Sequence, residues 1–136
     1  MLRRLAYMLA LSMVLLSGCG VQEKDRLAIA RIIESRSRAL NSRDISLYLS
    51  SVSPDYSDKG KDFPRLRESI ASNFNNVEKL SYQPVEHTIS IHGNRAEVSG
   101  TYRMKISARG KELALDGSEH IKLARGPEGW KIIAGL

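Results

Sequence analysis

The chain has 136 residues, of which 21 are lysine or arginine and 15 aspartate or glutamate, for a formal charge of +6. That length allows one ordinary domain and excludes two. A single cysteine excludes internal disulfides and cysteine-based structural metal sites, and without an aromatic-interleaved basic patch the charge excess argues against a nucleic-acid partner.

The chain opens with an export-type segment. Arg3 and Arg4 precede the apolar run 5–11, and small residues lead up to Cys19. The stretch is too short, and too polar at its C-terminal end, for a stable membrane span. Leu16-Ser17-Gly18-Cys19 resembles the lipobox of bacterial lipoproteins. The resemblance implies a signal peptide over residues 1–18, cleavage before Cys19, and lipid on that cysteine, so that the membrane becomes a partner. Gly20 after the cysteine resembles lipoproteins sent on to the outer membrane of Gram-negative bacteria, which implies a location on that membrane facing the periplasm. Arg3-Arg4 lacks the context of a twin-arginine signal. Residues 19–23 are expected to be a short tether. Four extended residues reach roughly 14 Å, so the domain rides close to the bilayer.

Residues 24–42 carry Leu27, Ile29, Ile32, Ile33, Ala39 and Leu40 at three- and four-residue spacings, which predicts an amphipathic helix. Lys24, Arg26, Arg31, Arg36, Arg38 and Arg43 are read as its solvated charge. Anionic headgroups would attract such residues by roughly 1 kcal/mol each near a membrane surface. Residues 41–44 break the helix, and Asp44 is placed to cap a second, short one holding Ile45, Leu47, Tyr48 and Leu49. Pro54 stops it. A polar loop over 55–62 surrounds Gly60. Its Asp55, Asp58 and Asp62 lack the ligand spacing of a calcium loop and suit turns and caps. Asp62 then caps a third helix with Pro64 in its first turn and Leu66, Ile70 and Phe74 as its buried stripe.

After Val77 the pattern alternates with period two. Val85, His87, Ile89 and Ile91 are expected on one face, and Gly93-Asn94 supplies a hairpin turn. Ala96, Val98, Gly100, Tyr102, Met104 and Ile106 return on that face. Leu113, Leu115, Gly117, Glu119, Ile121 and Leu123 continue it, and residues 130–133 close the sheet. The other face is polar, as when helices cover one side only. The class is α+β, with three N-terminal helices packed on a curved four-stranded antiparallel sheet.

The run Arg38-Ala39-Leu40-Asn41-Ser42-Arg43-Asp44, then Tyr48-Leu49 and Ser53-Pro54-Asp55-Tyr56, resembles the opening of nuclear transport factor 2-like domains. Gly129-Trp130-Lys131-Ile132 resembles their final strand. That superfamily includes SnoaL-like polyketide cyclases and ketosteroid isomerases. The resemblance covers residues 24–136 and implies a cystatin-like cone with a pocket in its open end. The same cone serves enzymes, binders and adaptors, so fold alone does not assign function.

Isomerase-like members use an inward carboxylate as general base and a phenol or second carboxyl to stabilise an enolate oxygen; an apolar pocket raises such a carboxylate's pKa. Strand alternation offers Glu119 as base, Tyr102 as donor and His87 as either, with Gly100 and Gly117 leaving room beside them. No residue matches the isomerase base by motif. The primary expectation is therefore a non-enzymatic, lipid-anchored module that binds a small apolar ligand or an envelope protein. The alternative is a small isomerase or cyclase acting on an apolar enolisable ligand through Glu119. An adaptor working through the first helix's charges is a third reading. Tyr56, Tyr82, His87, Tyr102, Glu119 and Trp130 are the pocket candidates, although Tyr56 and Trp130 equally suit the core, and Phe74, Tyr82, Met104 and Trp130 would fill the pocket of a binder. No cofactor is implied. His87, His92 and His120 lack the spacing of zinc ligands. An arginine paired with Glu119 would speak against the enzyme.

Overall fold

The computed structural model describes the backbone of residues 2–136 and the side chains of residues 20–136. The side chains of the expected signal peptide and of Cys19 lie outside the described residues. Helix α1 (Leu2–Ser42) runs without a break through residues 20–23. The expected tether is thus helical, and its four residues rise about 6 Å instead of the roughly 14 Å of an extended chain. Among the described residues no helix is long and apolar enough to cross a membrane.

Helix α1 stops where residues 41–44 predict. Arg43 adopts a left-handed conformation, φ 54°, and the Asp44 N–H donates to the Ala39 carbonyl at 2.9 Å. This C-terminal motif uses up carbonyls that the helix leaves unpaired. Asp44 then caps α2 (Ile45–Ser50), accepting from the Leu47 N–H at 2.9 Å. The loop expected over 55–62 contains a two-residue hairpin, β1 (Ser57–Asp58) and β2 (Lys61–Asp62). Lys59 and Gly60 both take positive φ at its tip, as a tight primed turn requires. Asp62 accepts from the Arg65 N–H at 3.1 Å and starts α3 (Phe63–Asn76), whose Leu66 and Phe74 are buried.

Four antiparallel strands follow in sequence order: β3 (Lys79–His92), β4 (Arg95–Ala108), β5 (Lys111–Gly126) and β6 (Gly129–Ala134). Ile29, Ile33 and Leu40 of α1, Tyr48 of α2 and Leu66 of α3 bury themselves with Val98, Ile121, Leu123 and Ile132 of the sheet. The architecture is the α+β order expected from the sequence.

Two expected inward residues are not inside. A bulge between Pro84 and Glu86 leaves Val85 without a partner on β4, and Val85 is 56% exposed. Leu113, 58% exposed, lies in the half of β5 that the short β6 does not reach, since β6 pairs only with residues 122–126. The bulge precedes His87, so His87 still pairs with Gly100 and faces inward. Truncating two valines separates these environments. Val98→Ala, at a fully buried position, should cost about 2 kcal/mol in urea denaturation. Val85→Ala should stay within about 0.5 kcal/mol.

Candidate functional site

The centre of the sheet carries a row of three residues: His87 on β3 pairs with Gly100 on β4, which pairs with Glu119 on β5. The outer two strands lie two inter-strand spacings apart, roughly 9–10 Å. Because the middle residue has no side chain, the outer two meet above it, with His87 Nε2 3.2 Å from Glu119 Oε1. A Cβ at Gly100 would sit 2.2 Å from His87 Cδ2 and 2.3 Å from the Glu86 carbonyl oxygen. The neighbouring row repeats the device: Tyr102 lies over Gly117, where a Cβ would come within 2.5 Å of its phenol. The room expected beside Gly100 and Gly117 is therefore taken by the two rings.

Helix α1 supplies the residue that completes the cluster. Arg36 falls at the spacing of the apolar stripe formed by Ile29, Ile33 and Leu40, and it is only 9% exposed. The expectation that it belongs to the solvated face is corrected. Its Nη1 donates to Glu119 Oε2 at 3.0 Å and to the Tyr82 hydroxyl at 3.3 Å. Its guanidinium lies 5.4 Å from the Tyr82 ring centre and 5.8 Å from that of Tyr48. Tyr82 donates its hydroxyl proton to Glu119 Oε1. Asn41, one turn further along α1, clamps the Tyr82 backbone. Its Nδ2 donates to the Tyr82 carbonyl at 2.9 Å, and its Oδ1 accepts from the Tyr82 N–H at 2.8 Å.

Both oxygens of Glu119 are thus engaged, and its side chain is 7% exposed. Burial favours the neutral acid, but the Arg36 charge, with the Tyr82 and His87 contacts, outweighs it and holds the carboxyl below its ordinary 4.5. Burial also opposes the Arg36 charge, yet the oxygens of Tyr48, Glu119 and Tyr82 keep the guanidinium protonated above its usual range. Burial, reinforced by the bond to Glu119, pushes the Tyr82 phenol up to about 12. The cluster is a closed set of charges: one cation, one carboxylate and a neutral phenol.

A cleft of about 880 Å³ opens over this cluster. Leu40, Ile70, Phe74, Leu80, Met104 and Ile106 give it apolar walls. Arg36, Tyr82, Tyr102 and Glu119 reach it from the buried side, and Lys59 from the exposed side. Of the pocket candidates, Tyr82, Tyr102 and Glu119 line the cleft, and Tyr102 packs against Tyr82 with ring centres 5.3 Å apart. His87 touches the cluster through Glu119 without lining the cleft.

Tyr56 and Trp130 serve the fold instead. The Tyr56 hydroxyl donates to the Leu136 carbonyl at 2.9 Å and accepts from its N–H at 3.0 Å. The Trp130 indole donates to Asp25 at 3.0 Å, and Arg125 donates to both Asp25 oxygens at 2.8 Å while lying over the indole. The Trp130 and Arg125 bonds hold the Asp25 carboxyl below its usual range. This clamp pins α1 to the closing hairpin, remote from the cleft.

No family model and no curated protein matches this sequence. Solved structures do match it. A nuclear transport factor 2-like superfamily protein from Salmonella enterica superposes with a TM-score of 0.75 at 18% identity, covering 82% of this chain and 88% of that one. A nuclear transport factor 2-like protein with a cystatin-like fold from Novosphingobium aromaticivorans gives 0.71 at 14% identity, over 88% and 84% of the two chains. A candidate ketosteroid isomerase from Shewanella frigidimarina gives 0.66 at 19% identity, over 77% and 90%. These similarities establish the fold, a nuclear transport factor 2-like cone of the cystatin-like type.

The cluster sets a stability profile with two limbs. Glu119 has a lowered folded-state pKa, so its contribution is complete above its ordinary 4.5 and lost as pH falls through the lower folded value. Tyr82 has a raised one, so its contribution is complete below its ordinary 10 and lost as pH rises toward about 12. Urea midpoints measured across pH should show a plateau between these limits. Glu119→Gln should flatten the acid limb and Tyr82→Phe the alkaline one.

Proposed function

We propose that this domain is a non-enzymatic binding module of the bacterial cell envelope, held at a membrane surface by lipid on Cys19 and taking a small apolar molecule into its cleft. The observation that carries this reading is the state of Glu119. A general base needs a pKa poised near the operating pH and a lone pair aimed at the substrate. Glu119 has a lowered pKa, and its oxygens already accept from Arg36 and Tyr82. Tyr102, the expected donor to an enolate, packs on Tyr82. The isomerase alternative therefore loses its base, and the candidate isomerase among the structural neighbours shares only the fold at 19% identity. The cleft volume and its apolar walls match what a small-ligand pocket needs. The lipobox-like Leu16-Ser17-Gly18-Cys19 and the following Gly20 support the anchor and an outer-membrane, periplasm-facing location.

Two experiments test the two halves. For the cleft, the neutral fluorophore N-phenyl-1-naphthylamine should bind the full-length chain, and Met104→Trp should weaken binding. Overfilling of this kind costs about 1–3 kcal/mol, hence roughly tenfold or more. Deuterium exchange at the α-carbon of an enolisable ketone, catalysed by the wild type and abolished by Glu119→Gln, would instead restore the isomerase. For the anchor, cells fed labelled palmitate should label the wild-type protein and not Cys19→Ser, which should also leave the membrane fraction. Equal labelling of both would contradict lipidation at Cys19.

A further inference from the structure

The sheet has two kinds of edge. Along β3 the backbone is guarded: Pro84 and the bulge after it interrupt the strand, Asn41 holds the N–H and carbonyl of Tyr82, and Arg26 donates to the Ile89 carbonyl at 3.0 Å. The open half of β5 has no such guard. Since β6 pairs only with Lys122–Gly126, residues 111–121 pair with β4 alone. The His120 carbonyl points to the β6 side, where a Cβ at Gly135 would sit 2.1 Å from it. The Arg125 N–H points to the other side and donates to the Asn94 carbonyl at 2.8 Å. Backbone groups alternate sides along a strand, so Glu112, Ala114, Asp116 and Ser118 aim their N–H and carbonyl groups at the open edge. Among the described residues these groups have no hydrogen-bond partner. Ser118 and His120 border the cleft although strand alternation puts their side chains on the outer face; they meet it through this edge. Neither a proline nor a bulge interrupts residues 111–119. Leu113, 58% exposed, and the half-buried Leu115 flank the edge on its inner side. A bare edge with apolar side chains along it is a surface on which another strand pairs.

We infer that this edge pairs with the same edge of a second copy of the chain, antiparallel, with Leu115 on the two-fold axis. The residues themselves select that register. Centred on Leu115, Glu112 faces Ser118 of the other copy and Asp116 faces Ala114, so no two acids are opposed. Moving the axis to Ala114 sets Glu112 against Asp116, and moving it to Asp116 sets the two Asp116 carboxylates against each other. Like charges directly opposite destabilise a strand pair. The inner face fits the same register. Leu115 meets Leu115, and Leu113 faces Gly117 of the other copy, beside the Tyr102 ring that lies over that glycine. Pairing also overlaps the whole bare stretch and gives its free backbone groups partners. The interface is isologous, as a closed two-fold dimer requires. It is independent of the small-molecule reading, because it needs no ligand in the cleft.

Disulfide trapping tests the register. On the axis, the two Leu115 positions form a pair without mutual hydrogen bonds, whose Cα atoms lie about 4.5 Å apart, within reach of a disulfide. In full-length chains carrying Cys19→Ala, solubilised in dodecyl maltoside and equilibrated with glutathione, Leu115→Cys should trap the dimer about tenfold more than Leu113→Cys. Adding Ala114→Pro should abolish the trapping. That proline removes an N–H aimed at the open edge and leaves the ladder to β4 intact, and far-UV circular dichroism checks that the fold is kept. Amide exchange of the unaltered chain gives a second readout. The Ala114 and Asp116 amides should slow about tenfold or more as protein concentration rises, while Leu113 and Leu115, already bonded to β4, should not change. Equal trapping at 113 and 115, or trapping that survives Ala114→Pro, would overturn the inference. So would slow exchange at Ala114 without trapping at 115, which would mean that something other than a second copy covers the edge, and so would fast exchange at every concentration, which would mean that nothing does.

Discussion

The ion pair between Arg36 and Glu119 joins the first helix to the centre of the sheet, and the rest of the site is arranged around it. Its two members come from elements 83 residues apart and meet where both are almost fully buried. A buried pair of this kind is poorly explained by stability alone. The desolvation of two charges offsets most of their attraction, and apolar residues of matching volume would serve the core as well or better. What the pair does supply is a constraint. With Asn41 of α1 holding the Tyr82 backbone as well, it allows only one rotation and one height of the helix over the strands. Any slip leaves a charge in the core without its partner.

The same constraint sets the electrostatics of the cleft. Glu119 is kept ionised and its charge is spent internally, so the floor of the cone presents no free base and no free cation. The phenol of Tyr82 stays neutral across the physiological range because burial, reinforced by the bond to Glu119, disfavours its ionised form. The inward carboxylate is thus ionised but of lowered basicity, with both oxygens already accepting hydrogen bonds. On the proposed reading, specificity moves outward, to the apolar walls of the cleft. Gly100 makes this geometry available. Without a side chain at that position, His87 reaches across β4 to Glu119 Oε1, while Arg36 holds Oε2.

Much of this was legible in the amino-acid sequence, for physical reasons that also explain the gaps. Period-two alternation put Glu119 and Tyr102 on the inner face because a strand's side chains have no other choice. Asp44 and Asp62 declared their caps because a short carboxylate followed by a helical run has a preferred partner two or three residues on. Arg36 was misassigned because its charge was weighed above its spacing; its place between Ile33 and Leu40 in the apolar stripe was the available signal, and a charge there requires a buried partner. Val85 escaped because a bulge shifts the pairing by one residue without leaving a mark in the hydrophobic pattern. The β1–β2 hairpin was missed because Lys59 adopts positive φ, which glycine or asparagine usually advertises. Trp130 and Tyr56 suit both the core and the pocket in sequence, because aromatic residues on an inner face look alike until their polar atoms find partners. Here those partners are Asp25 and Leu136.

The central claim is that Glu119 is a locked carboxylate. The most direct measurement is an NMR titration of its side-chain carboxyl carbon in the ¹³C-labelled full-length chain. The account predicts a midpoint below the ordinary 4.5, moving upward when Arg36 is replaced by methionine. A midpoint above 4.5 in the unaltered protein, displaced toward neutrality, would contradict it. Glu119 would then be a carboxyl free to take a proton, and the cleft a place where chemistry is done.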